Sequence, residues 1–337
     1  MDTGIELVAN DESLADLIRI ARRADEAGVD SIWVGEYFRS GPVVAAAIAQ
    51  ATTQIRIGTA IALGLVRSPL ITAITALDID ELSGGRFTLG LGSQVKRAMN
   101  NWHGLEFDHP ATRMRECVEA VQVCMAAGPG VESSYAGTYY DIDLAGYLRA
   151  PVPERQVPVL LAAVRPTMIK MAARSADGVL GHILWSQRYL ENVVTPILAD
   201  VGADFERAQT VVGAVHADAG QARIDAKRTL GFYAATRTYR TILEEDGFGD
   251  DADRCANALA SGDISQLESA VSDAMLDTYA ITGNPEEFKA RLAQRTGSLD
   301  TAIVIPPYFG TPANRLLEHQ EGLIDVLASV AGARRDD

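Results

Sequence analysis

An α/β fold, a TIM-type (β/α)8 barrel, is the fold class this sequence predicts, and three observations predict it. Short apolar runs of strand character alternate with helix-period runs eight times along the chain, the pattern of a parallel sheet wrapped by its own crossover helices. The strand runs end in Gly, Ser and isolated polar residues, where a barrel carries its chemistry. No GxGxxG follows the first strand, so the runner-up, an open doubly wound sheet, lacks its dinucleotide fingerprint. A chain of 337 residues with 47% hydrophobic content has ample material for one such barrel with insertions.

Gly4 to Ala9 reads as strand one. Glu12 to Ala27 follows as an amphipathic helix, with Leu14, Leu17, Ile18, Ala21 and Ala24 on one face and Gly28 as its C-cap. Ser31 to Val34 is strand two, delivering Gly35-Glu36-Tyr37-Phe38 to its carboxyl end, and Pro42 to Ala51 is helix two. Ile55 to Ile61, apolar and β-branched, is strand three. Pro69 suits the first turn of a helix over Leu70 to Leu82, which Ser83-Gly84-Gly85 stops. Phe87 to Leu91 is strand four, and Gly90-Leu91-Gly92-Ser93 ends it with so little bulk that a planar ligand has room against a bare floor.

A loop separates Ser93 from helix four, Pro110 to Ala126. Residues 131–156, containing YAGTYYDI, read as a hairpin-like insertion outside the barrel. Val157 to Ala163 is strand five, followed by a helix over Pro166 to Ser175; Gly178 to Gly181 is strand six, followed by a helix over Arg188 to Val201. Thr210 to Val215 is strand seven. From about residue 220 to 280 the pattern is helical only, more than one crossover needs, and part of it is expected over the barrel mouth. Asn284 caps a helix with an acidic first turn, Thr301 to Ile305 is strand eight, and Arg315 to Val330 closes the fold. Residues 1–337 are thus expected as a single domain.

Composition excludes several function classes. A formal charge of −15 argues against a nucleic-acid partner, which needs a positive field. There is no run of 18 apolar residues and no basic segment ahead of an apolar one, so neither a membrane span nor a signal peptide is indicated and a cytoplasmic location is expected. Cys117, Cys124 and Cys255 lack CxxC spacing, and the first two fall on one helix face as buried thiols. The five histidines form no HExxH or paired Cys/His spacing, so no metal is expected. A Ser-His-Asp hydrolase is disfavoured for want of GxSxG.

The ordered block RSPLITAITALDIDELSGGRFTLGLGSQ, followed by HPATRMRE at 109–116, resembles the matching segment of the bacterial luciferase-like superfamily, most of all its coenzyme F420-dependent oxidoreductase branch. The resemblance implies a luciferase-like TIM barrel that transfers a hydride between the deazaflavin F420 and a small organic substrate. The alternative is an FMN-dependent monooxygenase using reduced flavin and oxygen, and a non-catalytic flavin-binding protein is a reading from another class. Family members are often homodimers, and helices two and three are rich enough in Ala, Ile and Leu for an apolar face beyond the barrel's need.

The resemblance also assigns candidate residues. At the end of strand two the branch carries an acidic residue followed by a His that serves as acid/base; this chain departs from it with Glu36 and Tyr37. Tyr37, a poor base with an ordinary pKa of about 10, is either a proton or hydrogen-bond donor or part of the cofactor wall. A non-proline cis peptide supporting the ring from behind maps onto Ala60-Ile61. Gly92, Ser93 and Gln94 suit the polar rim of a flavin-like ring. The phosphate candidate is Ala162-Ala163-Val164-Arg165, opening a helix whose free N–H groups suit an anion, where relatives carry Gly-Pro in place of Val164-Arg165. Gly181 and His182 end the neighbouring strand. His109 before Pro110 reads as a structural residue at a helix start and Trp102-His103 as within reach of the pocket, neither of them as catalytic.

Overall fold

The computed structural model describes residues 1–8, 12–128, 131, 133–147, 155–295 and 298–336. In chain order, the first half runs β1 (Asp2–Leu7), α1 (Leu14–Ala27), β2 (Ser31–Val34), α2 (Gly41–Ala51), β3 (Arg56–Thr59), a two-residue β4 (Ala62–Leu63), α3 (Pro69–Ser83), β5 (Phe87–Gly92), α4 (Lys96–Trp102) and α5 (Pro110–Ala126). A small antiparallel hairpin, β6 (Ser134–Ala136) with β7 (Asp141–Asp143), precedes β8 (Val159–Ala163), α6 (Pro166–Ser175) and β9 (Gly178–Gly181). A broken helix follows, α7 (Gln187–Tyr189), a π turn over Leu190–Val194 and α8 (Thr195–Ile197), and then the long β10 (Glu206–Val215). The excursion holds α9 (Ala219–Ala234), α10 (Arg240–Glu245), α11 (Gly249–Ser261), α12 (Gln266–Ala270) and α13 (Asp273–Tyr279). It returns through β11 (Ala280–Gly283) to α14 (Pro285–Arg295), β12 (Thr301–Ile305) and α15 (Ala313–Asp336).

Parallel pairing closes eight of these strands into a ring, β1-β2-β3-β5-β8-β9-β10-β12 and back to β1. This is the TIM-type barrel that the sequence predicts. Local signals act where expected: Ser13 and Asp16 form a capping box on α1, Gly28 ends it at φ 83°, and Asn284 and Glu287 exchange capping hydrogen bonds on α14.

Several boundaries differ from the expectation, each for a physical reason. The stretch expected as a loop after Ser93 contains α4, whose only buried residues are Ala98 and Met99, too few for a readable apolar stripe. Strand three stops at Thr59, turns through a cis Ala60-Ile61 bond and resumes as β4 against β5. The helix expected over Arg188 to Val201 is interrupted by the π turn and ends at Ile197, just beyond Pro196. The all-helical reading of the excursion missed β11, four residues pairing only with the C-terminal half of β10. The expected strand residue Ala9, and 132 and 148–154 of the expected insertion, lie outside the described residues.

Alternation along each strand sorts side chains between two cores. Ile5, Leu7, Ile32 and Val34 point outward into the main core beneath the helices, whereas Trp33, Leu160, Leu180, Ala208 and Ile303 fill the barrel interior. Trp33, fully buried, fits inside only because Gly58 is bare: a Cβ there would lie 2.2 Å from the indole. Arg56 covers that ring at 5.2 Å and is held by Glu206 at 2.7 Å and Thr301 at 3.1 Å, so the N-terminal end of the barrel is plugged. The opposite end stays open. Among the described residues no helix is long and apolar enough to cross a membrane.

Candidate active site

The inward positions that lie beyond the plug open into a cavity of about 270 Å³. Every strand-end segment singled out in the sequence contributes to its wall: Glu36 and Tyr37 after β2, Ala60 and Ile61 after β3, Gly92, Ser93 and Gln94 at β5, Ala162, Ala163 and Val164 at β8, Gly181 and His182 at β9. Arg165 does not line it; that side chain is exposed at the N-cap of α6 and makes no capping hydrogen bond. The first turn of α6 is also less open to an anion than expected, because Pro166 has no N–H and the Met168 and Ile169 amides return to the Arg165 carbonyl.

The glycines of β5 have a different cause from a bare floor. A Cβ on Gly90 would lie 1.9 Å from the Thr59 carbonyl oxygen, and one on Gly92 would lie 2.3 Å from Ile61 Cδ1. The room at these positions is taken by the chain's own strand three, which presses Ile61 across Gly92 and makes that side chain, rather than open backbone, the surface offered to a ligand. Ser93 donates to the Gln94 carbonyl, and Gln94, at φ 60°, accepts the Val95 N–H on its side-chain oxygen, so this rim is held by its own hydrogen bonds.

Glu36 is tied down. It pairs with Arg67 through both carboxylate oxygens and accepts the Leu63 N–H at 2.9 Å, which locks β4 and the loop after β2 together. Tyr37, by contrast, is 42% exposed, and burial of the remainder raises its pKa against the opposing field of Arg97. At neutral pH it is a hydroxyl donor and no base.

The polar centre of the cavity lies elsewhere, where His182 meets residues the sequence reading missed. Glu6 projects inward from β1, and burial pushes its carboxyl up to about 8 although a Thr210 hydrogen bond opposes the shift. One of its oxygens has no hydrogen-bond partner. Tyr308, just past β12, meets Tyr233 of α9 hydroxyl to hydroxyl at 3.1 Å, and burial raises both phenols far above their ordinary range. His182 packs against Tyr239 at 4.4 Å and Tyr233 at 5.7 Å between ring centres. Burial drives its pKa down to about 3, and its Nδ1 accepts the Leu184 N–H, which leaves the proton on Nε2. It therefore offers one neutral donor and no charge for a phosphate. The one signal for Glu6 was its parity: Gly4, Glu6 and Val8 share the inward face, so a lone carboxylate sat on the lumen side of an apolar strand.

Taken together, the cavity combines an apolar wall, a carboxyl that keeps its proton at neutral pH, and neutral donors around it. Among the described residues no group of three or more His, Cys, Asp or Glu is arranged to hold a metal ion.

Comparison with known proteins agrees with this architecture. Residues 2–302 match the family described as luciferase-like monooxygenase. An uncharacterized protein of Mycobacterium tuberculosis is 31% identical over 307 residues, covering 85% of this chain and 90% of its own. The 5,10-methylenetetrahydromethanopterin reductase of Archaeoglobus fulgidus is 29% identical over 325 residues, covering 93% and 94%. Among solved structures, the coenzyme F420-dependent tetrahydromethanopterin reductase of Methanopyrus kandleri superposes with a TM-score of 0.76 at 21% identity, over 97% of both chains. The oxygenating constituent of 3,6-diketocamphane monooxygenase from Pseudomonas putida, a complex with FMN, gives 0.66 at 18% identity over 98% of both. At such identities the structural likeness speaks for the fold.

Proposed function

Because the chain belongs to the luciferase-like monooxygenase family and is an oxidoreductase working with a deazaflavin or flavin, we propose that it is an F420-dependent reductase that passes a hydride to a small organic acceptor while Glu6 supplies the proton. The observation that carries this reading is the Glu6 carboxyl, buried and raised to about 8. Hydride addition to a C=O or C=N bond leaves negative charge on the heteroatom, and an acid whose pKa lies near the working pH is best suited to quench it.

The residues present fit a flavin-like group. The cavity, about 270 Å³, lies near the lower end of small-molecule sites and is walled by Val8, Ile61 and Leu180, with Ser93 and Gln94 on its polar rim and the Ala162–Val164 strand end opposite. A reduced deazaflavin, when bound, supplies the hydride. Ile61 backs the ring side of the cavity, Val8 and Leu180 keep water from the reacting face, and Glu6 holds the proton at its free oxygen. Arg165 and Lys170 stand exposed on α6 without an ion pair among the described residues. They offer two cations to the carboxylate tail that F420 carries beyond its phosphate and FMN lacks, which favours F420.

Absorbance titration of the cofactor-free protein with F420 and with FMN is the test, followed by turnover with each reduced form. Tighter binding of FMN, with oxygen consumption when reduced FMN is supplied, would replace the reductase by a flavin monooxygenase. The assembly we propose is a homodimer through α2 and α3, where Val43, Ile71 and Leu82 are 59%, 52% and 45% exposed. A monomer by light scattering at micromolar concentration would contradict it.

A further inference from the structure

From the mouth of the cavity we infer the substrate class: a planar conjugated acceptor, held by an aromatic clamp of Tyr37, Phe38 and Trp102 and favoured when it carries a negative charge. The inference rests on the proposed cofactor cavity, since it assigns what sits beside it. The three rings stand edge to face, with Tyr37 at 4.5 Å from Phe38 and 5.4 Å from Trp102. They are 42%, 51% and 59% exposed, which is costly for large aromatic side chains gathered around one ring and makes a patch suited to a ligand. They line a second hollow of about 450 Å³, and Glu36, Tyr37 and Gln94 line both this hollow and the main cavity. The clamp hollow thus adjoins the cofactor cavity at these three residues.

The clamp is held in position. Glu36, next to Tyr37, is fixed by Arg67 and the Leu63 amide, and Trp102 is the last residue of α4, anchored by buried Ala98 and Met99. Ring faces and edges that remain accessible favour offset or edge contacts with another flat π-system over an alkyl chain. The charge around the rim is positive in a chain of net −15: Arg97 acts on the Tyr37 hydroxyl, Lys96 is exposed beside it, and Arg39 lines the hollow without a carboxylate partner among the described residues. Arg67, the other cation there, is neutralised by Glu36. An anionic flat molecule therefore has both its surfaces answered.

Calorimetric titration with 2-naphthoate tests this, on the chain alone and again saturated with whichever of F420 or FMN it binds, so that failure of the cofactor reading and failure of the clamp are seen separately. Saturable binding of one naphthoate is expected, about tenfold tighter than octanoate of equal charge and tighter than neutral 2-naphthol. Trp102→Ala should weaken naphthoate by roughly 2–12-fold, the worth of one lost aromatic pair, with cofactor affinity unchanged and with recovery in Trp102→Phe. Trp102 is also the one exposed tryptophan of three, since Trp33 and Trp185 are fully buried, so quenching of its emission by 4-nitrobenzoate gives a second readout. Equal affinity for octanoate and naphthoate, or an unchanged affinity in Trp102→Ala, would overturn the clamp. So would a change of oligomeric state in that variant by light scattering, which would make the rings a contact between copies.

Discussion

Replacing Glu6 by Gln changes stability and catalysis in opposite directions, and the stability arm can be worked from the structure. Burial lifts the Glu6 carboxyl from 4.5 to about 8 in the folded chain, while the unfolded chain ionises near the ordinary value. Since the folded pKa is the higher one, the folded state binds the extra proton between these limits. Stability is then full below about pH 4.5, falls as pH rises, and levels off above about 8. At about 1.4 kcal/mol per pKa unit, this one group removes on the order of 3 kcal/mol by pH 7. Gln has the shape and hydrogen-bonding capacity of the protonated acid and cannot ionise, so Glu6→Gln should lie within about 1 kcal/mol of the parent near pH 5 and exceed it by about 3 kcal/mol at pH 7. Urea unfolding of the cofactor-free proteins at pH 5, 6, 7 and 8 reads the difference. Turnover in the same variant should fall by at least about 100-fold, the lower range for a lost general acid, with cofactor affinity kept. A stability difference that stays flat from pH 5 to 8 would show that Glu6 is ionised in the folded chain, and the proposed proton donor would fall with it.

Other perturbations separate the remaining roles. Arg165→Ala removes an exposed cation, so cofactor binding should weaken by no more than about 1 kcal/mol, and less as salt is raised; a salt-independent loss would mean a buried contact with the cofactor. Gly90→Ala drives a methyl against the Thr59 carbonyl, a backbone atom that cannot step aside, and should cost about 3 kcal/mol or more by urea unfolding. A variant as stable as the parent would contradict the close approach of strand three. Tyr37→Phe keeps the ring and loses only the hydroxyl, so kcat should stay within about twofold if Glu6 holds the reactive proton; a fall beyond about tenfold would transfer that role to Tyr37.

What the sequence by itself determined is what local physical chemistry controls. Ser31–Val34, Pro110–Ala126, Pro166–Ser175 and Gly178–Gly181 were legible to the residue, because β-branched or apolar runs closed by Pro and Gly leave little freedom in where an element starts and stops. The closed barrel followed from eight such alternations, the strand-end rule pointed to Glu36, Gly92 and Ala162, and Ile61 came from the family resemblance; all four lie in the cavity wall. The tertiary structure decided the rest, because the deciding contacts join residues far apart in the chain. KRAMNNW becomes α4 only where Ala98 and Met99 find a surface to bury against, and AITG becomes β11 only because the overlong β10 has an edge left to pair. Gly92 looked like space for a ligand until Ile61 was seen to occupy it. Glu6, Tyr233 and Tyr308 carry no motif in their own neighbourhoods. They become a site because closing the ring brings β1 beside β12 and folds α9 over the mouth, and burial then gives an ordinary glutamate a proton it would not keep in water.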